Sequence, residues 1–488
     1  MNIPDNKWFS ADKLHFRRTK IVATIGPSSS SPEQLRQLIA AGMNVCRINF
    51  SHGDPAKHIK IVRRIRKVAD SMQQIVTILG DLCGPKIRVG RFPDGRVTLK
   101  DGSKVLITAK NVLGSENLIP SQYGGIVGAV RIGDRVLLDD GNLELRVTRK
   151  LSAGAEAVVI HGGVLKDKKG MNLPDTPLKI PALTAKDKKD AIYCIKGGVD
   201  YLALSFVKSA GDVLALRRHL KANGSSIPII AKIEKPEALD RIDEILAVVD
   251  GIMIARGDLG VEMPPQKVPL IQRRLIEKAN QAYKPVIVAT QMLESMIEHA
   301  RPTRAEVTDV AMACLDDADA VMLSGETAVG KFPVEAVKMM DAVLREAEGY
   351  QFFTNGGLFK DRSGFKRDTM LNAIGVATAQ MSRDLKVRCI SVLTRSGRTA
   401  RIVSADRPAA PVFGLTENRE TARRMGLLWG VYPQLIKGAI SHDAFVKKSE
   451  IVIKGLKLAK KGDYMILLSG LSDKANEITN SITVHQVG

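Results

Sequence analysis

Eight short apolar runs, each ending in polar residues or glycine, constrain the fold of this 488-residue chain more than any other feature. Each run is nearly continuous in Val, Ile, Leu and Ala, which is typical of parallel strands buried on both faces. Most neighbouring runs start about 20 to 35 residues apart, the length of one strand and one returning helix. The runs are TKIVATIG (19–26), GMNVCRINF (42–50), QIVTILGD (74–81), VDYLALSF (199–206), IPIIAKIE (227–234), VDGIMIARGD (249–258), KPVIVATQ (284–291) and ADAVMLSGET (318–327). This pattern predicts a closed barrel of eight βα units.

An interval of about 120 residues between the third and fourth runs departs from this spacing. It contains short alternating strands joined by Gly and Asp turns, which is the pattern of a small all-β module. The module begins at Gly84-Pro85 and ends in the breaker-rich segment 168–184. Because an insertion after a barrel strand lies over the mouth of the barrel, we expect this module to act as a lid.

The C-terminal part of the chain forms a third unit. A polar segment at 353–369 follows a predicted helix at 332–350, and strands and helical stretches then alternate again. This order predicts a separate doubly wound α/β domain. The predicted fold class is α/β, a TIM barrel with an inserted small β-barrel lid and a C-terminal doubly wound domain. The predicted boundaries are 1–83 with 181–350 for the barrel, 84–180 for the lid and 351–488 for the C-terminal domain.

Composition argues against several classes of protein. No stretch approaches the roughly 18 uncharged apolar residues of a membrane span, and the N-terminus lacks the basic-then-apolar order of a signal peptide. The five cysteines lie far apart, which favours reduced thiols in a cytoplasmic protein without structural zinc. The formal net charge is +21, but the cations are spread along the chain and aromatic residues make up only 4% of it. We therefore expect small anionic substrates as partners, rather than nucleic acid or a membrane.

Functional side chains of such a barrel lie at the C-terminal ends of its strands. At these positions the chain carries carboxylates, cations and hydroxyls on one rim. They are Arg47, Asn49, Ser51 and His52 after the second run, Asp81, Lys86 and Arg88 after the third, Lys232 and Glu234 at the fifth, Arg256 and Asp258 at the sixth, Thr290 and Gln291 at the seventh, and Ser324 and Glu326 at the eighth. An interior salt bridge would explain any one of them, but it explains polar groups on six strands poorly.

Four of these residues indicate a specific chemistry. Lys232 and Glu234 are two apart on one strand, so their side chains point into the same space. Glu234 and Asp258 lie on adjacent strands and can share a hard cation such as Mg²⁺ or Mn²⁺. Lys232 and Arg47 then offer positive charge to a phosphoryl group beside the metal. A metal, a lysine and an arginine around a moving phosphate are the electrostatic apparatus of phosphoryl transfer.

Seven segments carry a resemblance to the pyruvate kinase family. They are TKIVATIGPSS, GMNVCRINFSHG, IIAKIEKPEAL, DGIMIARGDLGVE, VIVATQMLESMI, RPTRAEVTDVA and VMLSGETAVGKFPVEAV. The resemblance runs from about residue 18 to the C-terminus, and its AKIE, ARGDLG, ATQMLESM and SGETA strings are highly specific. It implies an enzyme of glycolysis that transfers the phosphoryl group of phosphoenolpyruvate to ADP. Protonation of the enolate then gives pyruvate. The resemblance further implies that the enzyme is a homotetramer.

The resemblance also implies roles for residues around the phosphoryl group. Glu234 and Asp258 would bind the divalent metal that also holds the substrate. Lys232 would neutralise the phosphoryl group in flight, and Arg47 would help to orient it. Arg88 belongs to the phosphate-facing set beside the lid hinge.

A second group of residues would hold the rest of the substrate. The family's substrate carboxylate lies against the backbone N–H groups that match those around Gly257 and Asp258, together with Thr290. Thr290 is also the family's candidate member of the proton relay to the enolate.

Many members of the family also need potassium, held at the positions that match Asn49, Ser51, Asp81 and Leu82. Those enzymes typically read Asp-Thr at residues 81–82 and carry Glu at the position of Lys86, whereas this chain has Leu82 and Lys86. A lysine ammonium has the unit charge of potassium on a flexible stem that can reach the site. We therefore hypothesise that Lys86 replaces the monovalent cation and that potassium is not required.

A phosphate site is also indicated in the C-terminal domain. Thr394, Ser396, Gly397 and Thr399 form a hydroxyl- and amide-rich turn at a predicted helix N-terminus, which suits phosphate and resembles the family's effector loop. An ordinary capped turn has similar residues. The segment at 470–487 lacks the Gly-rich loop of members regulated by fructose 1,6-bisphosphate, which favours a sugar monophosphate or AMP as effector.

Two other functions remain open at this point. One is a different barrel enzyme that uses phosphoenolpyruvate or pyruvate with a divalent metal, against which the lid and the C-terminal domain argue. The other is a basic, non-catalytic binding protein, which the intact set of Lys232, Glu234, Asp258 and Thr290 opposes.

Overall fold

The computed structural model describes residues 17–176, 178, 180–354, 369–438, 441–470 and 479–488. Most of the predicted linker at 353–369 therefore lies outside the described residues. The chain opens with β1 (Lys20–Thr24), α1 (Pro32–Ala40), β2 (Val45–Asn49), α2 (Pro55–Ser71) and β3 (Thr77–Asp81). Helix α1 begins at a proline, and the side chain of Ser31 caps it by accepting a hydrogen bond from the Gln34 N–H.

The insertion that follows β3 is built from two small sheets. Its elements are β4 (Arg96–Leu99), β5 (Lys104–Thr108), β6 (Leu118–Pro120), α3 (Ile126–Ala129), β7 (Arg135–Leu138), β8 (Leu143–Leu151), β9 (Gly154–His161), β10 (Gly163–Lys166) and β11 (Met171–Asn172). One sheet has the order β11-β7-β8-β9-β5-β6, with only β5 and β6 parallel, and β10 pairs with β4 in the other. Val105, Leu145 and Val159 belong to a core of its own. The predicted lid (residues 84–180) therefore contains a hydrophobic core separate from that of the barrel.

The rest of the barrel follows the lid and closes the sheet. Its elements are α4 (Ala185–Gly197), β12 (Tyr201–Leu204), α5 (Ala210–Ala222), β13 (Ile229–Ile233), α6 (Pro236–Asp240), α7 (Ile242–Val248), β14 (Gly251–Ala255), α8 (Arg256–Glu262), α9 (Val268–Gln281), β15 (Val286–Ala289), α10 (Arg304–Leu315), β16 (Ala320–Leu323), α11 (Gly325–Ala328) and α12 (Pro333–Thr354). The closed order is β1-β16-β15-β14-β13-β12-β3-β2, and every pair in it is parallel. The eight predicted runs are thus the eight barrel strands.

Both faces of these strands are buried, which explains their nearly continuous apolar composition. Side chains such as Val22 and Met253 fill the interior of the barrel. Their strand neighbours Ile21 and Ile252 pack outward under the helices.

The C-terminal domain is an open sheet with helices. Its elements are α13 (Met370–Asp384), β17 (Ile390–Leu393), α14 (Arg398–Ala405), β18 (Val412–Thr416), α15 (Arg419–Met425), β19 (Val431–Leu435), α16 (His442–Gly455), β20 (Tyr464–Ser469) and β21 (Ser481–Gln486). The strand order is β19-β18-β17-β20-β21, parallel except for the last strand, which the sequence analysis did not predict.

This domain packs against the N-terminal ends of the barrel strands. Lys20 of β1 donates a hydrogen bond to the Val431 carbonyl at 2.7 Å. Thr77 of β3 donates to the Arg423 carbonyl at 2.5 Å. The lid and the candidate site lie at the opposite end of the barrel, where the strands end. Within the described ranges, no helix has the length and apolarity needed to cross a membrane.

Candidate active site

The ammonium of Lys232 lies at the centre of the rim. Its Nζ is 2.8 Å from Glu234 Oε1 and 3.6 Å from Asp81 Oδ1, and it donates a hydrogen bond to Ser205 Oγ at 2.8 Å. Burial by itself would lower the pKa of Lys232, but the carboxylates of Asp81 and Glu234 outweigh it and raise that pKa. Lys232, whose side chain is 12% exposed, is therefore a charged group at neutral pH.

Arg47 is the second partly buried cation of the rim, and a carboxylate of β3 orients it. Its Nε donates to Asp81 Oδ2 at 2.7 Å, and a terminal nitrogen donates to Thr24 Oγ1 at 3.0 Å. Asp81 thus lies between two cations, and it is 1% exposed. Its Oδ1 accepts no hydrogen bond within the described part of the chain.

Glu234 and Asp258 have the oxygen donors that a hard divalent cation requires. Glu234 is fully buried, and its Oε2 accepts the Phe206 N–H at 2.8 Å. Its Oε1 faces Lys232 and accepts no well-formed hydrogen bond from the described residues. Burial raises the pKa of Glu234, which Lys232 opposes and Asp258 reinforces. Asp258, in the first turn of α8, carries the second carboxylate.

These residues fit Mg²⁺ or Mn²⁺ because an underused carboxylate oxygen and a nearby second carboxylate are hard ligands. The described residues contain no group of three or more His, Cys, Asp and Glu side chains arranged to hold a metal. The remaining coordination positions would therefore fall to substrate oxygens and water.

Thr290 is held in an unusual conformation after β15. Its φ is +70°, which is uncommon for a β-branched residue. Its Oγ1 accepts the Gly257 N–H at 2.7 Å and donates to the Ala289 carbonyl at 2.6 Å. Arg256 donates to the Thr290 carbonyl at 2.6 Å. The fold thus brings Thr290 and the Gly257 N–H into direct contact.

Lys86 reaches the site from the lid hinge. Its Nζ lies 3.4 Å from Asp258 Oδ1 and 3.6 Å from Asp140 Oδ1. Partial burial would lower the pKa of Lys86, but these two carboxylates prevail and raise it. Lys86 therefore lies on the Asp258 side of the site, whereas Asp81 forms its ion pair with Arg47.

The remaining predicted rim residues lie around this cluster. Arg88 donates to the Lys168 carbonyl of the lid at 3.0 Å, so its guanidinium turns toward the lid. The Ser51 N–H donates to Asn49 Oδ1 at 3.0 Å. Partial burial, followed by Arg88 and other nearby cations, lowers the pKa of His52.

A turn formed by Ser205 and Phe206 also belongs to this cluster, although no site residue was predicted at the end of the fourth run. Ser205 Oγ contacts Lys232, and the Phe206 N–H contacts Glu234. Polar residues at the C-terminal ends of the other strands were predicted to be functional, and the same criterion identifies Ser205.

The predicted effector residues lie together at the start of α14. Gly397 has a φ of +78°, and its N–H donates to Thr394 Oγ1 at 3.0 Å. Ser396 lies in the same turn. Thr399 Oγ1 shares a hydrogen bond of 2.7 Å with Thr479 Oγ1.

Comparison with known proteins agrees with this architecture. Residues 16–337 match the pyruvate kinase barrel domain, and residues 372–485 match the pyruvate kinase alpha/beta domain. The chain is 44% identical to the pyruvate kinase of Sporosarcina psychrophila over 475 residues, which cover 97% of this chain and 81% of that protein. It is 43% identical to that of Geobacillus stearothermophilus over 474 residues, covering 96% and 80% of the two chains. The barrel, the two further domains and these similarities establish that the chain belongs to the pyruvate kinase family.

Proposed function

We propose that this chain transfers the phosphoryl group of phosphoenolpyruvate to ADP in glycolysis, giving ATP and, after protonation, pyruvate. The observation that supports this most is the partly buried Lys232 ammonium, 2.8 Å from Glu234 Oε1 on the rim of a barrel of this family. A fixed positive charge in a water-poor cleft stabilises charge that develops on a phosphoryl group in transit.

The phosphoryl group would be surrounded by cations. Glu234 and Asp258 would hold Mg²⁺ or Mn²⁺, which when bound withdraws charge from phosphoryl and enolate oxygens. Lys232 and Arg47 offset the charge of the group in transit, and Arg88 adds charge from the lid side. An ADP oxygen forms the new bond to phosphorus as the bond to the enol oxygen breaks, so no nucleophilic side chain is needed.

Thr290 and Gly257 would handle the organic part of the substrate. The substrate carboxylate would accept the Gly257 N–H, which now donates to Thr290 Oγ1 at 2.7 Å. That exchange leaves the Thr290 hydroxyl adjacent to the substrate. The enolate then takes one proton at its methylene carbon to give pyruvate, and Thr290 would belong to the relay that supplies it.

Steady-state assays of pyruvate and ATP formation test this proposal. Both products should require phosphoenolpyruvate, ADP and a divalent metal. Lys232→Met should lower kcat by about 10²- to 10³-fold because the charge opposite the phosphoryl group is lost. Lys278→Met, which removes a lysine paired with the exposed Asp243 on the outer surface, should keep full activity. Pyruvate release that does not depend on ADP would instead favour a different phosphoenolpyruvate enzyme.

Potassium independence is the second part of the proposal. Lys86 carries the same unit charge as potassium beside the rim cluster, although its Nζ lies 3.4 Å from Asp258 Oδ1 and Asp81 is paired with Arg47 instead. The enzyme should therefore be fully active with tetramethylammonium as the only monovalent cation, and Lys86→Gln should make it depend on potassium. Strong activation of the unaltered enzyme by potassium would contradict this.

Regulation by a phosphorylated effector is the third part. The turn at Thr394, Ser396, Gly397 and Thr399 offers hydroxyl and amide donors at the start of α14, which suit a phosphate. A sugar monophosphate or AMP should raise the rate at subsaturating phosphoenolpyruvate. Ser396→Ala should weaken that response, and an equal response in the variant would contradict the site.

A homotetramer in the cytoplasm is the fourth part, and it follows from the family. Exposed apolar side chains such as Leu270, which is 73% exposed, are available for contacts between subunits. Sedimentation of the purified protein as a monomer would contradict it.

A further inference from the structure

The turn at Ser205 and Phe206 contacts both charged groups at the centre of the site. It follows β12 directly, and Ser205 is 1% exposed. Ser205 Oγ accepts a hydrogen bond from Lys232 Nζ at 2.8 Å and donates its own proton to the Leu82 carbonyl at 2.7 Å. Because a hydroxyl has a single proton, the donation to Leu82 directs its lone pairs toward Lys232.

Phe206 holds the neighbouring carboxylate through its backbone. Its N–H donates to Glu234 Oε2, so Glu234 Oε1 remains directed at Lys232. Phe206 has a φ of +55°, a left-handed conformation that is unfavourable for a bulky L-residue. Backbone strain of this kind persists where surrounding contacts enforce it, and it is concentrated at functional sites.

The geometry limits where the Lys232 ammonium can point. An ammonium has three N–H bonds, and one of them is directed at Ser205 Oγ at 2.8 Å. Glu234 Oε1 attracts the ammonium from 2.8 Å as an ion pair without hydrogen-bond geometry, so N–H directions remain for the substrate. Without Ser205, the nearest remaining acceptors are the carboxylates of Glu234 and Asp81, and both would draw the ammonium away from a phosphoryl group.

We propose that Ser205 is a positioning residue for phosphoryl transfer, which acts by holding the Lys232 ammonium in its productive direction; this inference rests on the proposed function. Ser205 itself does not touch the reacting atoms. Its effect should therefore appear in the rate of the chemical step, whereas Phe206 separately maintains the metal-binding carboxylate.

Three variants test the inference, with kcat, the KM for phosphoenolpyruvate and the Mn²⁺ dissociation constant measured for each. Ser205→Ala should lower kcat about 10- to 100-fold because a misplaced ammonium loses contact with the transition state. Its KM and its Mn²⁺ affinity should stay within about twofold, since neither Glu234 nor Asp258 is altered. Ser205→Thr, which keeps the hydroxyl, should recover part of the rate.

Ser391→Ala is the matched control. Ser391 is also 1% exposed and hydrogen-bonded, but to Ser449 in the C-terminal domain, so its loss should leave kcat unchanged. An unchanged kcat in Ser205→Ala would overturn the inference. A loss of kcat accompanied by weaker Mn²⁺ binding would also overturn it, because collapse of the turn would then explain the defect. If the unaltered enzyme makes no pyruvate from phosphoenolpyruvate and ADP, it is the proposed function that fails.

Discussion

Two carboxylate oxygens inside the barrel accept no hydrogen bond from any described residue. Asp81 Oδ1 and Glu234 Oε1 lie 3.6 and 2.8 Å from Lys232 Nζ, each as part of an ion pair without hydrogen-bond geometry. Buried acceptors without donors are rare, because each loses its hydration. Both oxygens are therefore available to accept a ligand's donor or cation.

Glu234→Gln tests the metal assignment at this scale. The amide keeps the shape of the side chain but removes its charge, so Mn²⁺ affinity should fall by at least about tenfold. Titration monitored by electron paramagnetic resonance would measure it. Glu244→Gln, on the exposed surface of α7, is the control and should bind Mn²⁺ as the unaltered protein does. Equal affinity in Glu234→Gln would exclude this carboxylate as a ligand.

The extent to which the site was predictable from sequence differs from residue to residue. Lys232 and Glu234 were predictable together because the two-residue period of a strand is a local property. The partners of Lys86 were not, because Asp140 belongs to the lid and Asp258 to α8. Their meeting depends on the angle of the lid, which no local pattern encodes.

At the scale of elements, the hinge that leads out of β3 is packed onto the Ser205–Phe206 turn. Gly84 has a φ of +68°, and a Cβ added there would lie 2.7 Å from Phe206 Cδ2 and 2.9 Å from Ser205 Cβ. Glycine at this position is therefore required both by the backbone conformation and by the lack of space. The lid hinge and the turn that orients Lys232 form one packed unit.

Gly84→Ala should consequently damage both stability and activity. The left-handed conformation alone costs an L-residue about 1–2 kcal/mol, and the contacts with the turn add to it. Gly102→Ala is the matched control, because Gly102 has a φ of +74° but nothing within 4 Å of an added Cβ. Urea unfolding should show both variants destabilised, whereas only Gly84→Ala should lose kcat. Full activity in Gly84→Ala would separate the hinge from the turn.

The barrel strands were predictable from sequence because burial on both faces leaves a continuous apolar signature. Strand β21 was not, since it is an antiparallel edge strand whose sequence, SITVHQ, is only partly buried. An edge strand of this kind takes its conformation from its neighbour β20, so its own residues carry little information.

At the scale of the whole molecule, the C-terminal domain packs against the N-terminal end of the barrel and contributes a buried arginine to the interface. Arg407 is fully buried and donates to Asp319 Oδ1 at 2.8 Å and to the Asp317 carbonyl at 2.7 Å. Its guanidinium also lies over the ring of Trp429, 4.7 Å from the centroid. Separation of the domains would leave these charges without partners, so barrel and C-terminal domain should unfold together.

Arg407→Ala should lower the free energy of unfolding by about 3–5 kcal/mol, because it leaves Asp319 buried without its counter-ion. Arg388→Ala removes an arginine that is 53% exposed and paired with Asp463, and it should cost less than about 1 kcal/mol. Denaturant unfolding followed by circular dichroism compares the two. Similar losses of unfolding free energy in both variants would show that the buried ion pair of Arg407 stabilises the protein no more than the exposed pair of Arg388.

Lys20 gives the interface a dependence on pH. Burial, and next the charge of Arg17, lower the pKa of Lys20 from 10.5 to about 7. Between these values the unfolded chain binds a proton that the folded protein does not, so this group's contribution to stability rises with pH from about 7 to 10.5. The stability of the unaltered protein relative to Lys20→Met should therefore increase between about pH 7 and pH 9.5. A difference that stays constant with pH would contradict the lowered pKa.

The closure of the barrel also has a consequence for synthesis on the ribosome. Strand β1 pairs with β16, with Lys20 opposite Ala320, and β3 pairs with β12 across the lid. At a synthesis rate of about 5–20 residues per second, β16 is made some 15–60 s after β1. During this time the edge of β1 is open to wrong pairing, so productive folding should depend on chaperones. The lid, whose core residues are all made before β12, can fold before the barrel sheet closes.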